Sequence, residues 1–171
     1  MRAIFIGLAL ALIAAPVWAQ TRADNVSRCL GGDPDARVAG CSVLIQSGQE
    51  TSGGLAVAYN NRGLAYKAKG LHDPAIADFT QAVALNPQLA EAYVGRGAAY
   101  GAKGLYDEAI ADETQAIALN PQSANAYNNR GLAYEAKGLH DQAIADYRAV
   151  LKLNPTEQDA LNGLKRLGAT P

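Results

Sequence analysis

The stretch LAVAYNNRGLAYKAKGLHDPAIADFTQAVALNPQ, residues 55–88, returns without a gap as residues 89–122 and again as 123–156. The first and second blocks agree at 25 of 34 positions, the first and third at 23. A period of this length marks an array in which each unit buries its apolar face on the next. Each block holds two alanine-rich stretches of helical period, separated by a Gly and then an Asp, and ends in Asn-Pro. Gly70, Gly104 and Gly138 can take the left-handed conformation that ends a helix. Asp73, Asp107 and Asp141 follow where they can cap the next one. Pro87, Pro121 and Pro155 do not continue a helix and turn the chain into the following block. Every block therefore reads as a helical hairpin, and the fold class as all-α.

Composition agrees. The chain has 171 residues, 35 of them alanine, while Val, Ile and Thr form no run, which favours closely packed helices over sheet. It is long enough for one packed domain. A net charge of -1 without a basic run argues against a nucleic-acid partner, whose phosphates demand clustered cations.

At fixed offsets the blocks place small residues (Gly63 with Ala75, Gly97 with Ala109, Gly131 with Ala143) beside large ones (Tyr59, Tyr66 and their counterparts Tyr93, Tyr100, Tyr127, Tyr134). Small residues let paired helices approach, and the tyrosines fill the space beside them. In its pattern Tyr59, Gly63, Tyr66, Ala75, Phe79, Ala82, Pro87 the chain resembles the tetratricopeptide repeat family over residues 55–156. The resemblance implies a right-handed helical solenoid whose inner groove is lined by the first helix of each repeat and binds a peptide. Carried over residue by residue, the groove falls on Asn60, Asn61, Leu64 and Lys67, then Glu91, Val94, Ala98 and Gly101, then Asn125, Asn128, Asn129, Leu132 and Glu135. Asn side chains donate and accept, which suits the backbone of an extended peptide. Family members that clamp a C-terminal carboxylate use Lys and Asn one turn apart. Asn60 and Leu64 stand there, which argues against such a clamp.

The chain departs from the pattern in two further ways. Arg62, Arg96 and Arg130 replace the usual Leu before the Gly, and recurring Asp78, Asp112 and Asp146 are expected to pair with them as a ladder. Glu113 replaces the aromatic that Phe79 and Tyr147 supply. It either pairs with Arg96 or Arg130, or marks a pH-sensitive or ligand-contacting spot in the middle repeat.

Outside the three blocks, Arg2 and the uncharged run to Ala19 read as a signal peptide over residues 1–19, cut between Ala19 and Gln20. The run is slightly short for a membrane anchor and contains Pro16. Val38 to Cys41 come close to a lipobox, but Asp33, Asp35 and Arg37 separate them from the apolar run. The protein is thus expected in the periplasm or secreted, where Cys29 and Cys41 have each other as intramolecular partners for a disulfide. Residues 20–54 read as a divergent capping half-repeat, with Asp35, Val38 and Cys41 standing where Asp73, Ile76 and Phe79 stand, given four inserted residues. Residues 157–171 read as a closing helix that Thr156 caps, with Ala160, Leu161, Leu164 and Leu167 on one stripe and Lys165 and Arg166 toward water.

No catalytic constellation is visible. His72 and His140 occupy one turn position two repeats apart and read as solvated. Gly95, Gly97 and Gly101 align with Asn61, Gly63 and Lys67 inside a helix, not with a phosphate loop. No cofactor or metal is expected. The expected function is a non-catalytic scaffold, monomeric or weakly self-associating, that binds a protein or peptide. The alternative is a subunit that assembles with itself in an envelope or secretion complex.

Overall fold

A computed structural model describes residues 17–171, with side chains from Thr21 onward. The helices are α1 (Val17–Leu30), α2 (Pro34–Ser47), α3 (Ser52–Ala68), α4 (His72–Leu85), α5 (Ala90–Ala102), α6 (Tyr106–Leu119), α7 (Ala124–Ala136), α8 (His140–Leu153) and α9 (Gln158–Arg166). The described residues form an all-α solenoid of antiparallel hairpins. Residues 1–16 of the expected signal segment lie outside the described residues, and the expected cut after Ala19 falls in the first turn of α1. Among the described residues no helix is long and apolar enough to cross a membrane.

The turns follow the chain's punctuation. Gly70, Gly104 and Gly138 have φ of 72, 75 and 74°. Around Gly70 the amides of Gly70 and Leu71 donate to the carbonyls of Lys67 and Tyr66, each at 2.9 Å, so a left-handed residue closes the orphan carbonyls of the helix end. The Asn before each Pro is extended, with φ near the -139° of Asn86, as the residue preceding proline prefers. Its Oδ1 accepts from the amide two residues on, at 3.1 Å for Gln88 and Gln122.

The expected aspartate caps are a correction. Leu71, Leu105 and Leu139 occupy the cap positions and make no side-chain cap bond. Asp73, Asp107 and Asp141 lie inside the first turn, where an acid still offsets the helix dipole. Asp73 and Asp107 are thereby free to pair with Lys103 and Lys137 of the following repeat, as Asp35 pairs with Lys69. Thr156 is not the cap of α9 either. Glu157 holds that position, and the Thr156 hydroxyl donates to Asn154 Oδ1 at 3.1 Å.

Among the described residues the core forms buried apolar clusters at three of the hairpin seams, and none at the seam between α5, α6 and α7. Phe79 packs with Ala75, Ala82, Val83 and Ala92, and Tyr147 with Ala143, Val150, Ala160 and Leu164. Thus α9 packs on the last hairpin, and Arg166, exposed as expected, also reaches back to Glu135 at 2.8 Å. At the other end Cys29 and Cys41 are joined by a disulfide and buried with Leu44 and Ala58. The two cysteines are 12 apart in sequence, the spacing of Glu135 and Tyr147, which meet in the last hairpin. The disulfide therefore fills the slot that aromatics fill elsewhere.

Candidate functional site

The odd-numbered helices touch one another in series, from α1 to α9, whereas each even-numbered helix meets only its chain neighbours. Helices that approach their counterparts more closely lie on the inside of the curve, so α3, α5 and α7 form the concave face.

A charged ladder fixes their spacing. Arg62 Nε and Nη2 donate to Asp78 at 2.7 and 2.8 Å, Arg96 to Asp112 at 2.7 and 2.8 Å, and Arg130 to Asp146 at 2.9 and 2.8 Å. Each guanidinium spends a further N–H on the preceding hairpin, at Ser42, Thr80 or Thr114. The Ser42 contact spans 20 residues where the other two span 16, in accord with four inserted residues before the first block. The guanidinium carbons lie 5.6 to 5.9 Å from the rings of Tyr59, Tyr66, Tyr93, Tyr127 and Tyr134, within cation–π range.

The candidate groove residues separate into classes. Val94, Ala98 and Gly101 are half-buried on α5, while Glu91, Asn125 and Leu132 are exposed. Asn60 on α3 is 8 % exposed and Asn128 on α7 half-buried, and the Oδ1 of each is buried without a hydrogen-bond partner. Lys67 is half-buried, and Leu64 packs against the Phe79 cluster. Glu135 is already engaged by Arg166 and by the Tyr147 hydroxyl. The arginine's hydrogen bonds hold its carboxyl below the usual range, and burial pushes the Tyr147 phenol up. Asn61 and Asn129 stand where Gly95 and Gly163 stand in the other repeats, at the seam with the preceding hairpin.

Between α5 and α7 the concave face opens into a cavity of about 310 Å³, lined by Gly97, Ala98, Gly101, Tyr106, Asn129 and Leu132 with alanines 102, 109, 133 and 136. It gathers four of the candidate residues: Ala98, Gly101, Asn129 and Leu132. Gly97, Tyr106 and Ala109 escaped the reading of the sequence, because they lie on the seam rather than on the face of the first helix. The signal was there in the combination of Gly101 with Glu113, at positions that hold Lys67 with Phe79 and Glu135 with Tyr147.

Glu113 is wholly buried and pairs with neither Arg96 nor Arg130, a correction to the ion-pair expectation. Both arginines are saturated by their aspartates. Glu113 Oε1 accepts from Asn129 Nδ2 at 2.9 Å, and Oε2 has no partner. Burial, with Asp112 adding to it, pushes this carboxyl up to about 8 against the opposing pull of Asn129, Lys67 and Arg130. His72, expected to be solvated, is half-buried with its Nδ1 enclosed and unpartnered, while His140 is exposed.

Family models described as tetratricopeptide repeat and TPR repeat match residues 56–89 with 124–157, and 102–138. The second TPR domain of human RPAP3, solved in complex with the HSP70 peptide SGPTIEEVD, is 30 % identical, with 67 % of this chain and 96 % of that one covered and a TM-score of 0.64. The chain belongs to the tetratricopeptide repeat family. An Arabidopsis OM64 TPR domain is similar at 28 % identity, covering 68 % of this chain and 97 % of its own, with a TM-score of 0.68. The crystal structure of MamA is similar over 91 % of this chain and 87 % of its own, at 26 % identity and a TM-score of 0.69. No curated protein sequence matches. Tetratricopeptide domains serve generally as interaction modules, and the first TPR domain of Spaghetti (RPAP3) is also solved with a peptide, SRMEEVD of HSP90.

Proposed function

We propose that the protein binds an extended segment of a partner protein along the concave face of α3, α5 and α7, and that it acts by binding rather than by chemistry. The observation that carries this reading is the pair of buried, unpartnered acceptors, Asn60 Oδ1 and Asn128 Oδ1, at the same position of α3 and α7 two repeats apart, which a bound segment would engage by drawing the side chains outward. A buried acceptor without a donor is unfavourable, and the amides of an extended backbone would satisfy both. The RPAP3 domain solved with a peptide supplies the precedent in a similar scaffold. The Cys29–Cys41 disulfide supports an oxidising compartment, and so an exported protein.

Peptide display selection on the full chain tests the reading. A selected peptide should lose at least tenfold in affinity with Asn60→Ala combined with Asn128→Ala, at unchanged helicity. These truncations remove unpartnered acceptors, so the fold forfeits no hydrogen bond through those atoms. Undiminished binding would place the partner on the outer face or the ends.

A further inference from the structure

Four acidic residues are buried among the described residues, Asp78, Asp112, Asp146 and Glu113, and the enclosed side chain of Glu50 is paired with Arg22. The three aspartates each hold a bidentate guanidinium. Glu113 holds one amide and leaves an oxygen unpartnered. It is therefore the buried carboxyl that lacks an ion-pair partner, and it lies behind the wall of the α5/α7 cavity, whose lining includes its neighbours Gly97 and Asn129. Tyr106 and Ala109 line that cavity, and Glu113 follows them on the same face of α6. A Cβ on Gly97, a lining residue, would fall 2.7 Å from Glu113 Oε1. The carboxyl's hydrogen-bond partner, Asn129, is also in the wall.

We propose that this cavity is a recognition pocket for a primary-amine side chain, that of a lysine in the bound segment, with Glu113, behind Gly97 and Asn129, as its counter-carboxylate once its unpartnered oxygen turns toward the cavity. The proposal rests on the groove reading and specifies one of its subsites. The walls of Ala98, Ala102, Ala109 and Leu132 suit an aliphatic stem. The choice of lysine over arginine follows from the carboxyl's own bonding. Asn129 already occupies Oε1, so a planar fork finds one free oxygen rather than two, whereas an ammonium needs only one. At the seam between α1 and α3 a cavity of about 350 Å³ has its one carboxylate, Glu50, already held by Arg22, and the two seams next to repeats one and three are filled. Phe79 fills the first, and at the last the Tyr147 ring fills the slot while Arg166 neutralises Glu135.

The charged groups facing Glu113 are Lys67 from α3, Asp112 from its own helix and Arg130 from α7, and desolvation outweighs them. With its carboxyl pushed up to about 8, the empty pocket holds the proton at neutral pH. A seated ammonium favours the carboxylate, the proton passes to solvent, and affinity for the amine rises with pH between 6 and 8.

The test is an NMR titration of the full chain with Nα-acetyl-lysine N-methylamide and with its norleucine counterpart, which keeps the four-carbon stem and lacks the ammonium. The lysine probe should shift the amides of Gly97 and Gly101 and the side-chain amide of Asn129, and bind at least fivefold tighter than norleucine at pH 7. Its affinity should rise at least threefold from pH 6 to pH 8. Glu113→Gln should bring the two probes level and flatten the pH response. Gly101→Leu, which obstructs the cavity without touching the carboxyl, should abolish both shifts and keeps the question answerable if Glu113→Gln folds poorly. Equal binding of the two probes to the unaltered protein overturns the proposal, as does a lysine response at other residues or none at all. Such a failure is separate from failure of the groove reading, which the Asn60 and Asn128 truncations test on lysine-free peptides.

Discussion

At the seam between the first and second repeats, Phe79 lies between Gly63 and Gly95, whose Cβ atoms, if present, would fall 2.9 and 2.4 Å from its ring. At the next seam Glu113 occupies the same slot, between Gly97 and Asn129, and the Gly of the following helix has become the amide that binds it. The first seam is closed by volume and the second by one hydrogen bond, leaving a cavity on the concave side. The polar framework of the two seams is shared: the Arg–Asp rung, the contact to a hydroxyl of the preceding hairpin, and the Asp–Lys pair across the turns. The comparison teaches that an array can keep its pitch through polar rungs while one aromatic layer is released for another use.

The widest break in the comparison would come from the rungs, which should matter equally at both seams. Arg62→Ala, Arg96→Ala and Arg130→Ala each leave a buried aspartate without its cation, and each should cost about 3–5 kcal/mol. Chemical denaturation of the three variants should give losses within about 1 kcal/mol of one another. A much smaller loss for Arg96→Ala would mean that Glu113, next to Asp112, already holds that rung apart.

A second difference is that one seam titrates. Glu113 is raised to about 8 in the folded protein from its ordinary 4.5, so between those values the folded state holds a proton that the unfolded state has released. Stability from this group is greatest below pH 4.5, falls as pH rises toward 8 and then levels off. Each pH unit separating the folded from the unfolded value corresponds to about 1.4 kcal/mol, which makes the full span a few kcal/mol. Unfolding midpoints at pH 5, 6.5 and 8.5 should show this decline in the parent protein and lose it in Glu113→Gln. A parallel decline in both would assign it to other groups.

The aromatic slot can also be exchanged directly. Glu113→Phe copies the first repeat but sets a ring against Asn129 where Phe79 meets Gly95, so the single change should destabilise by about 1–3 kcal/mol through overpacking. Adding Asn129→Gly should recover most of that loss and give a coupling energy of at least about 1 kcal/mol in the double-mutant cycle. Additive effects would show that the two positions do not share the slot.

The fold was open to reading in the sequence because three ungapped blocks carry their own punctuation: the left-handed Gly70, the Asn-Pro turns and the Arg–Asp pairs 16 apart are properties of one repeat and recur. The helix starts were misread because Leu71 follows the left-handed glycine and closes the preceding helix, so the next helix begins ahead of Asp73 and draws it into the first turn. The partner of Glu113 was misread for a different reason. Charge suggested Arg96 or Arg130, but the aspartates had already taken the arginines, and the decisive neighbour was the uncharged residue facing the slot from the next repeat. That neighbour covaries within the chain: Phe79 with Gly95, Tyr147 with Gly163, and Glu113 with Asn129.

The smallest effect concerns Gly101, which takes the place of Lys67 and Glu135. It is the penultimate residue of α5, in the last turn, where glycine's disadvantage against alanine is only part of the roughly 0.5–1 kcal/mol it reaches in a helix interior. A Cβ there would meet only Ala109 Cβ, at 4.0 Å, an ordinary contact. Gly101→Ala should therefore raise stability by less than about 1 kcal/mol, seen as a small increase in the unfolding midpoint. Gly97→Ala should do the reverse, because its Cβ would fall 2.7 Å from Glu113 Oε1. Propensity favours alanine at both glycines, and more strongly at the interior Gly97, so a loss at Gly97 beside a gain at Gly101 would isolate the space each one faces. If both substitutions stabilise, the carboxyl yields easily and the floor of the cavity is softer than the Asn129 bond implies. If the signs differ, Gly97 is where the chain gives up helix stability to keep the carboxyl in place, and Gly101 is where it gives up a smaller amount to keep the cavity open.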